Sequence, residues 1–372
     1  SQEVVEETTM NPGETKEVVL RLPLPEMRTW SPEDPFLYQL DVGLKTDGGE
    51  TDRVKVTFGM RDFRIQGSDF FLNGKRVFLK GSNLAFHRFL SDPSRGHLPW
   101  DAEWSRKVVA DLPKECGFNY FRVHLGHAYN RWYDLADEYG LLIQDEWMAF
   151  GRLNADEAVL REEFTQWIED NYNHPSIVIW DPINEAEGNE EGVAEARMLR
   201  ERIVPEMKRL NPTRPWESID FGEEHPYIYS LGPVLNDAHF GFARSIKDMQ
   251  ESSTPTLLNE FLWFWLQHDG KASSFTEQVV LRWLGPGSSA SERLDYQAFL
   301  AAELVEQFRR MRVDGIAPFV YVGADAGPTA DWFLGDLRDA RPKPIMAALK
   351  NAYSPFGVSV ELWDRHFFTN EA

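Results

Sequence analysis

The apolar positions of this chain change period near residue 60. Up to that point Val, Leu, Tyr and Thr alternate with polar residues through KEVVLRLPLP, PFLYQLDVGLKT and TDRVKVTFGM, with the turn TDGGE between the last two. Alternation about a Gly-Gly turn predicts a β-hairpin with one buried face. A complete immunoglobulin-like sandwich takes about 100 residues. A partial one is therefore expected over residues 1–60.

Beyond Arg61, short apolar runs alternate with helical segments. FLNGKRVFLKGSN holds an Asn-Gly turn at Asn73 and Gly74 and leads into a strand over 77–82. A helix is predicted over 101–115, opened by Asp101 and stopped before Gly117. GFNYFRVH, LLIQDE, IVIWDPINE and GIAPFVYVG read as further strands, with weaker ones at RPWESID, VLNDAHF and TPTLLNE. Helical patterns run through RWYDLADEYG, EAVLREEFTQWIEDNY, EGVAEARMLRERIVPEMKRL and ERLDYQAFLAAELVEQFRRM. About eight strands over roughly 300 residues predict an α/β fold, a (β/α)8 TIM barrel over residues 61–372. An open doubly wound sheet is the alternative. No Gly-rich phosphate turn follows any strand, so nucleotide binding has no support.

In such a barrel the C-terminal strand ends carry the chemistry, and polar residues collect there in this chain. They are Asn83 and His87, Arg122 and His124, Asp145 and Glu146, Asn184 and Glu185, Glu217 and Asp220, His239, Asn259 and Glu260, and Tyr321. Any one of them alone is an ordinary polar group at a strand end. Two stand apart, because IVIWDPINE and TLLNE each run apolar and then stop on Asn-Glu. Glu185 and Glu260 thus form a carboxylate pair on rigid strand ends, as glycosidic bond cleavage requires. His124, His127 and the Asp145-Glu146 doublet raise a metal site, but no two-His-and-Glu helix pattern accompanies them. Neither a metal nor another cofactor is expected.

Composition narrows the partners. The chain has 372 residues, of which 42% are hydrophobic, enough for a large core. With 39 Lys and Arg against 60 Asp and Glu, the net charge is −21, which disfavours nucleic acid and anionic membrane as partners. Trp is abundant at 13, and Trp147, Trp180, Trp263, Trp265 and Trp332 fall beside strand ends, where flat rings suit sugar faces. The one cysteine, Cys116, sits in an apolar context that suggests burial rather than reactivity. Neither a signal peptide nor a membrane-spanning run is visible, so a cytoplasmic location is the default expectation.

The chain resembles glycoside hydrolase family 2, the β-galactosidases, β-glucuronidases and β-mannosidases. The resemblance runs from about Trp30 to Tyr321 through SPEDPFLYQLDV, FGMRDF, FLNGKRVFLKGSN, GFNYFRVH, WYDLADEYGLLIQDEW, NHPSIVIWDPINE and LLNEFLWFW. It implies a β-sandwich leading into the barrel, hydrolysis with retention and no organic cofactor. Carried over by motif, Glu185 takes the general acid/base position, Asn184 that of the amide on the sugar 2-hydroxyl, and Glu260 that of the nucleophile. Arg122 matches the arginine ending the second strand, His239 falls near a residue lining the floor, and Tyr321 stands where many members have Trp. Asn83, His87, His124, Asp145 and Trp263 complete the expected substrate-binding set.

Family members begin with a jelly-roll domain and a complete immunoglobulin-like domain, so this chain is expected to be truncated or one piece of a longer polypeptide. It could associate with the N-terminal domains it lacks or form a homo-oligomer. The glucuronidase Asn-x-Lys element has one counterpart, Asn73-Gly74-Lys75, in the entry hairpin, which disfavours glucuronides. A retaining exo-β-glycosidase acting on a galactoside is the first expectation, with a mannoside or glucoside next. The rival from another class is a non-catalytic carbohydrate-binding barrel.

Overall fold

A computed structural model of the chain describes residues 3–186, 190–230, 246–323 and 329–358. The hairpin forms as predicted, β1 (Tyr38–Thr46) against β2 (Gly49–Phe58). Its expected buried face does not. Leu44 is 61% exposed and Val54 52% exposed. A two-stranded sheet has no second layer to cover it, and none packs on it among the described residues. KEVVLRLPLP forms no strand and is exposed except at Leu24.

Next comes a small antiparallel sheet, β3 (Phe63–Gln66), β4 (Asp69–Leu72) and β5 (Lys75–Arg76). It brings Phe63, Phe70 and Leu72 into one cluster with Leu79, Tyr120, Leu142, Ile179 and Leu257. Those partners come from the barrel strands, so the hairpin stoppers the N-terminal end of the barrel. The tip residues Asn73, Gly74 and Lys75 lie at that end, away from the strand ends that carry chemistry.

Seven parallel strands follow: β6 (Leu79–Leu84), β7 (Tyr120–Val123), β8 (Leu142–Glu146), β9 (Ile177–Asp181), β10 (Gly222–Glu224), β11 (Thr256–Leu258) and β12 (Gly315–Ile316). They run in the order β10-β11-β12-β6-β7-β8-β9. The two edges meet through single parallel bridges, Trp180 with Trp216 and Glu217 with Phe221. The TIM barrel therefore closes with its fifth position reduced to residues 216 and 217, the centre of the predicted RPWESID strand. The predicted VLNDAHF strand and its His239 lie outside the described residues. The sixth position is taken by β10, whose sequence Gly-Glu-Glu has no apolar run to betray it. Close strand packing explains Gly81, where a Cβ would stand 1.6 Å from the Tyr120 carbonyl oxygen.

Helices wrap the outside as predicted. Among them are α1 (Ala102–Ser105) and α2 (Leu112–Glu115), joined by a π-helical stretch, then α3 (Asn130–Tyr139), α4 (Glu157–Asn171) and the 21-residue α5 (Ala290–Arg310). Ser289 opens α5 with a capping box to Glu292, which satisfies two backbone donors of its first turn. Side chains on the barrel strands alternate between the interior and this helical shell. On β7, Arg122 points in while Phe121 and Val123 join the shell cluster; on β8, Gln144 and Glu146 point in while Ile143 joins the shell.

Candidate active site

Glu185 lies four residues beyond the end of β9, and Glu260 two beyond the end of β11. Glu185 adopts φ +53°, a left-handed conformation that a non-glycine residue holds only when its surroundings impose it. Tyr227 donates its hydroxyl to Glu185 Oε1, and His225 Nδ1 lies 3.5 Å from the same oxygen. One carboxylate oxygen each of Glu185 and Glu260, and a ring nitrogen of His225, all lie within 4.8 Å of one another. The spacing would suit a metal trio. However, the imidazole lies 2.7 Å from Glu223 through Nε2 and faces Glu185 through Nδ1, so both ring nitrogens already have carboxylate neighbours. His225 thus links Glu185 to Glu223, while Glu260 is held beside them by Arg122.

Arg122 organises the interior beneath them. Its guanidinium donates to Glu260 at 2.7 Å, Asn184 Oδ1 at 2.7 Å, Glu223 at 3.0 Å and Glu146 at 3.2 Å. A planar fork can hold several acceptors in fixed directions, which an ammonium cannot. Asn184 spends its oxygen on Arg122, and its Nδ2 is buried without a hydrogen-bond partner. A buried donor left unpaired is costly and points to a ligand acceptor. Asn259 binds Gln144 and Glu223 through Nδ2, while its backbone oxygen accepts from Asn83 Nδ2 at 2.8 Å.

The crowded carboxyls share the burden of burial unequally. Burial, together with repulsion from Glu223, drives Asp181 well above the usual carboxylate range; burial and Asp181 do the same to Glu217. Burial also raises Glu146, despite Arg122, while burial and Arg122 hold His124 well below the ordinary histidine range. Glu146 Oε2 and His124 Nδ1 face each other across 2.9 Å. Burial opposes the charge on Glu223 too, but Arg122 and His225 outweigh it and keep that carboxyl ionised. His225 is raised well above its ordinary value, since Glu260, Glu223 and the bond to Glu185 overcome its burial.

Of the expected residues, Glu185, Glu260, Asn184, Arg122, His124 and Asn83 converge at the barrel mouth and interior. His87 stands at the rim, its Nδ1 3.1 Å from the His124 carbonyl oxygen. Trp263 stacks on Tyr227 at 4.0 Å between centroids and lies 6.0 Å from Phe319. Two expectations need correction. Asp145 faces the helical shell, accepting from Tyr133 at 2.5 Å and Trp167 at 2.7 Å. It pairs in register with Val123 and therefore shares that residue's outward side. Tyr321 is also in the shell, stacked on Phe121 and bonded to the Val108 carbonyl, so it forms no sugar platform. Glu223, His225, Tyr227 and Phe319 were missed. The first three lie in GEEHPY, which has no apolar run, and only its density of polar residues could have flagged it.

Comparison with known proteins agrees with this architecture. The family model described as glycosyl hydrolases family 2 matches residues 1–61, and that of the family 2 TIM barrel domain matches residues 63–231. A β-galactosidase of Alteromonas mediterranea is 28% identical over 245 residues, covering 63% of this chain and 22% of that protein. One of Oenococcus oeni is 33% identical over 181 residues, covering 45% of this chain and 17% of the relative. The chain thus spans a minor part of these relatives' length. Among solved structures, a β-D-glucuronidase of Dictyoglomus thermophilum superposes with a TM-score of 0.61 at 21% identity, over 88% of this chain and 59% of that one. A β-galacturonidase of Eisenbergiella tayi gives 0.62 at 21% identity, over 91% and 62%. At that identity the likeness is one of fold.

Proposed function

Starting from a chain that belongs to glycosyl hydrolase family 2, we propose that its barrel is a retaining exo-β-glycosidase centre with Glu260 as nucleophile and Glu185 as acid and base. The observation that carries this reading is the approach of the two carboxylates to within 4.8 Å. Retaining enzymes hold their carboxyl groups about 5–5.5 Å apart, whereas inverting enzymes leave room for water at about 6.5–9.5 Å. Glu260, aimed by Arg122, attacks the anomeric carbon while Glu185 delivers its proton to the leaving oxygen. Glu185 then takes a proton from water as that water breaks the glycosyl-enzyme bond, and the configuration is retained. Asn184 Nδ2 faces the sugar 2-hydroxyl, a contact that tightens as charge develops at the neighbouring carbon.

The sugar we favour is a galactoside, in line with the relatives named β-galactosidase. A mannoside or glucoside follows. The chain divides near residue 60 into a partial sandwich and this barrel. The test is a panel of aryl β-glycosides given to wild type, Glu260→Ala and Glu185→Ala, with the anomeric product followed by proton NMR. Turnover by wild type alone, with first-formed β-product, is expected. Equal silence of all three proteins while sugars still bind would establish the binding-protein alternative, and α-product would exclude retention.

A further inference from the structure

Glu223 and His225 take no part in bond cleavage as set out above, yet each lies between groups that do. Glu223 Oε1 accepts from Arg122 at 3.0 Å and faces His225 Nε2 at 2.7 Å. Its Oε2 accepts from Gln144 Nε2 at 2.9 Å and from Asn259 Nδ2, and its backbone N–H donates to Glu217 Oε1 at 3.2 Å. Both oxygens and the backbone are thus fixed. From this one carboxylate two arms extend: Arg122 reaches Glu260 and Asn184, and His225 reaches Glu185.

We propose that Glu223 and His225 are a charged positioning pair that sets the orientation and proton traffic of Glu185 against Glu260. The pair takes its meaning from the reading of Glu185 as acid and base given above. His225 is 4% exposed, and it is surrounded by Glu223 on β10, Glu185 beyond β9, Glu260 beyond β11, Arg122 on β7 with His124 just beyond it, and Glu146 on β8. The Tyr227 ring lies 6.1 Å from its own. With Glu223 ionised, Nε2 must be the donor, and a second proton on Nδ1 places a positive edge on Glu185. As Glu185 releases its proton to the leaving oxygen it acquires negative charge, and the imidazolium meets that charge at a fixed position. Preorganised charge of this kind needs no rearrangement during reaction. The same contact then holds the carboxylate towards water in the second step.

Nitrogen-15 NMR of the histidine rings in the full chain tests the pair directly, with His225→Asn identifying its signal. Both His225 nitrogens should be protonated at pH 7 in wild type, and Glu223→Gln should render the ring neutral. A neutral His225 in wild type would overturn the proposal. Kinetics add a readout that a scaffold role would not move. A 2,4-dinitrophenolate leaves without acid assistance, so His225→Asn should lower kcat/KM by about 10-fold or more on 4-nitrophenyl glycosides but by less than about 3-fold on 2,4-dinitrophenyl glycosides. Loss of a positive charge this close should also move the alkaline limb of the rate profile upward by about one pH unit. Equal losses on both substrates with an unmoved profile would overturn it. Wild type that cleaves neither glycoside would refute the reading of Glu185, and with it the pair's action there, while the ring protonation would still decide whether the pair is charged.

Discussion

Replacing Arg122 with Met exposes how much of this barrel rests on one guanidinium. The side chain is fully buried and holds Glu260 and Asn184 at 2.7 Å, Glu223 at 3.0 Å and Glu146 at 3.2 Å. Met fills a similar volume, so the change is chiefly one of charge. Stripping one partner from a buried ionic cluster typically costs about 3–5 kcal/mol. Against a total stability of about 5–15 kcal/mol, that is a large fraction. The deficit should depend on pH with a definite sign. In wild type, Arg122 and His225 hold Glu223 below its ordinary range, so its contribution is full at pH 7 and fades only below the unfolded carboxylate value of about 4.3. In the variant the stranded carboxyls are raised instead, and they lose their penalty by taking up protons as pH falls from 7 towards 5. Urea unfolding of both proteins at pH 7 and pH 5 should therefore show the deficit shrinking on acidification. A deficit below about 1 kcal/mol at pH 7, or one that grows at pH 5, would refute the reasoning. Arg122→Lys keeps the charge without the fork and should fall between the two.

Three further outcomes follow from the geometry. Asp145→Asn should lower stability by about 1–3 kcal/mol through its bonds to Tyr133 and Trp167, yet leave kcat/KM unchanged below the melting temperature; thermal melts beside rate measurements would check this. Asn184→Ala should slow hydrolysis of 2-hydroxy glycosides by about 100-fold while sparing the 2-deoxy analogues, since only the former offer Nδ2 its acceptor. Gly81→Ala places a Cβ on the Tyr120 carbonyl, and because the atoms it meets are backbone it should destabilise by about 3 kcal/mol or more, read as a fall in the melting midpoint.

The carboxylate pair was legible because each glutamate ends an apolar run at the point where a buried strand leaves the barrel. The hairpin, the stopper turn at Asn73 and Gly74, and the outer helices were legible for similar reasons, since turn chemistry and 3.6-residue periodicity are local. Asp145 and Tyr321 misled because an inner parallel strand is buried on both sides, so LIQDE carries no apolar-polar alternation to say which residue looks inward. Register decided it: Val123 pairs with Asp145 and Arg122 with Gln144, which sends one pair to the shell and the other to the interior. GEEHPY was missed for the opposite reason. Its strand is three residues long and polar, and it becomes a strand only because β11 offers it an edge.

By itself the sequence determined that a barrel would form, that two Asn-Glu pairs would end its strands, and that no cofactor motif accompanies them, for these properties reside in runs of neighbouring residues. Tertiary structure alone decided which acids share a cavity, which of them ionise, and which face the helices. Those outcomes depend on barrel closure and strand register, which bring Glu223 and Glu260 each within hydrogen-bonding distance of Arg122 across more than a hundred residues of chain.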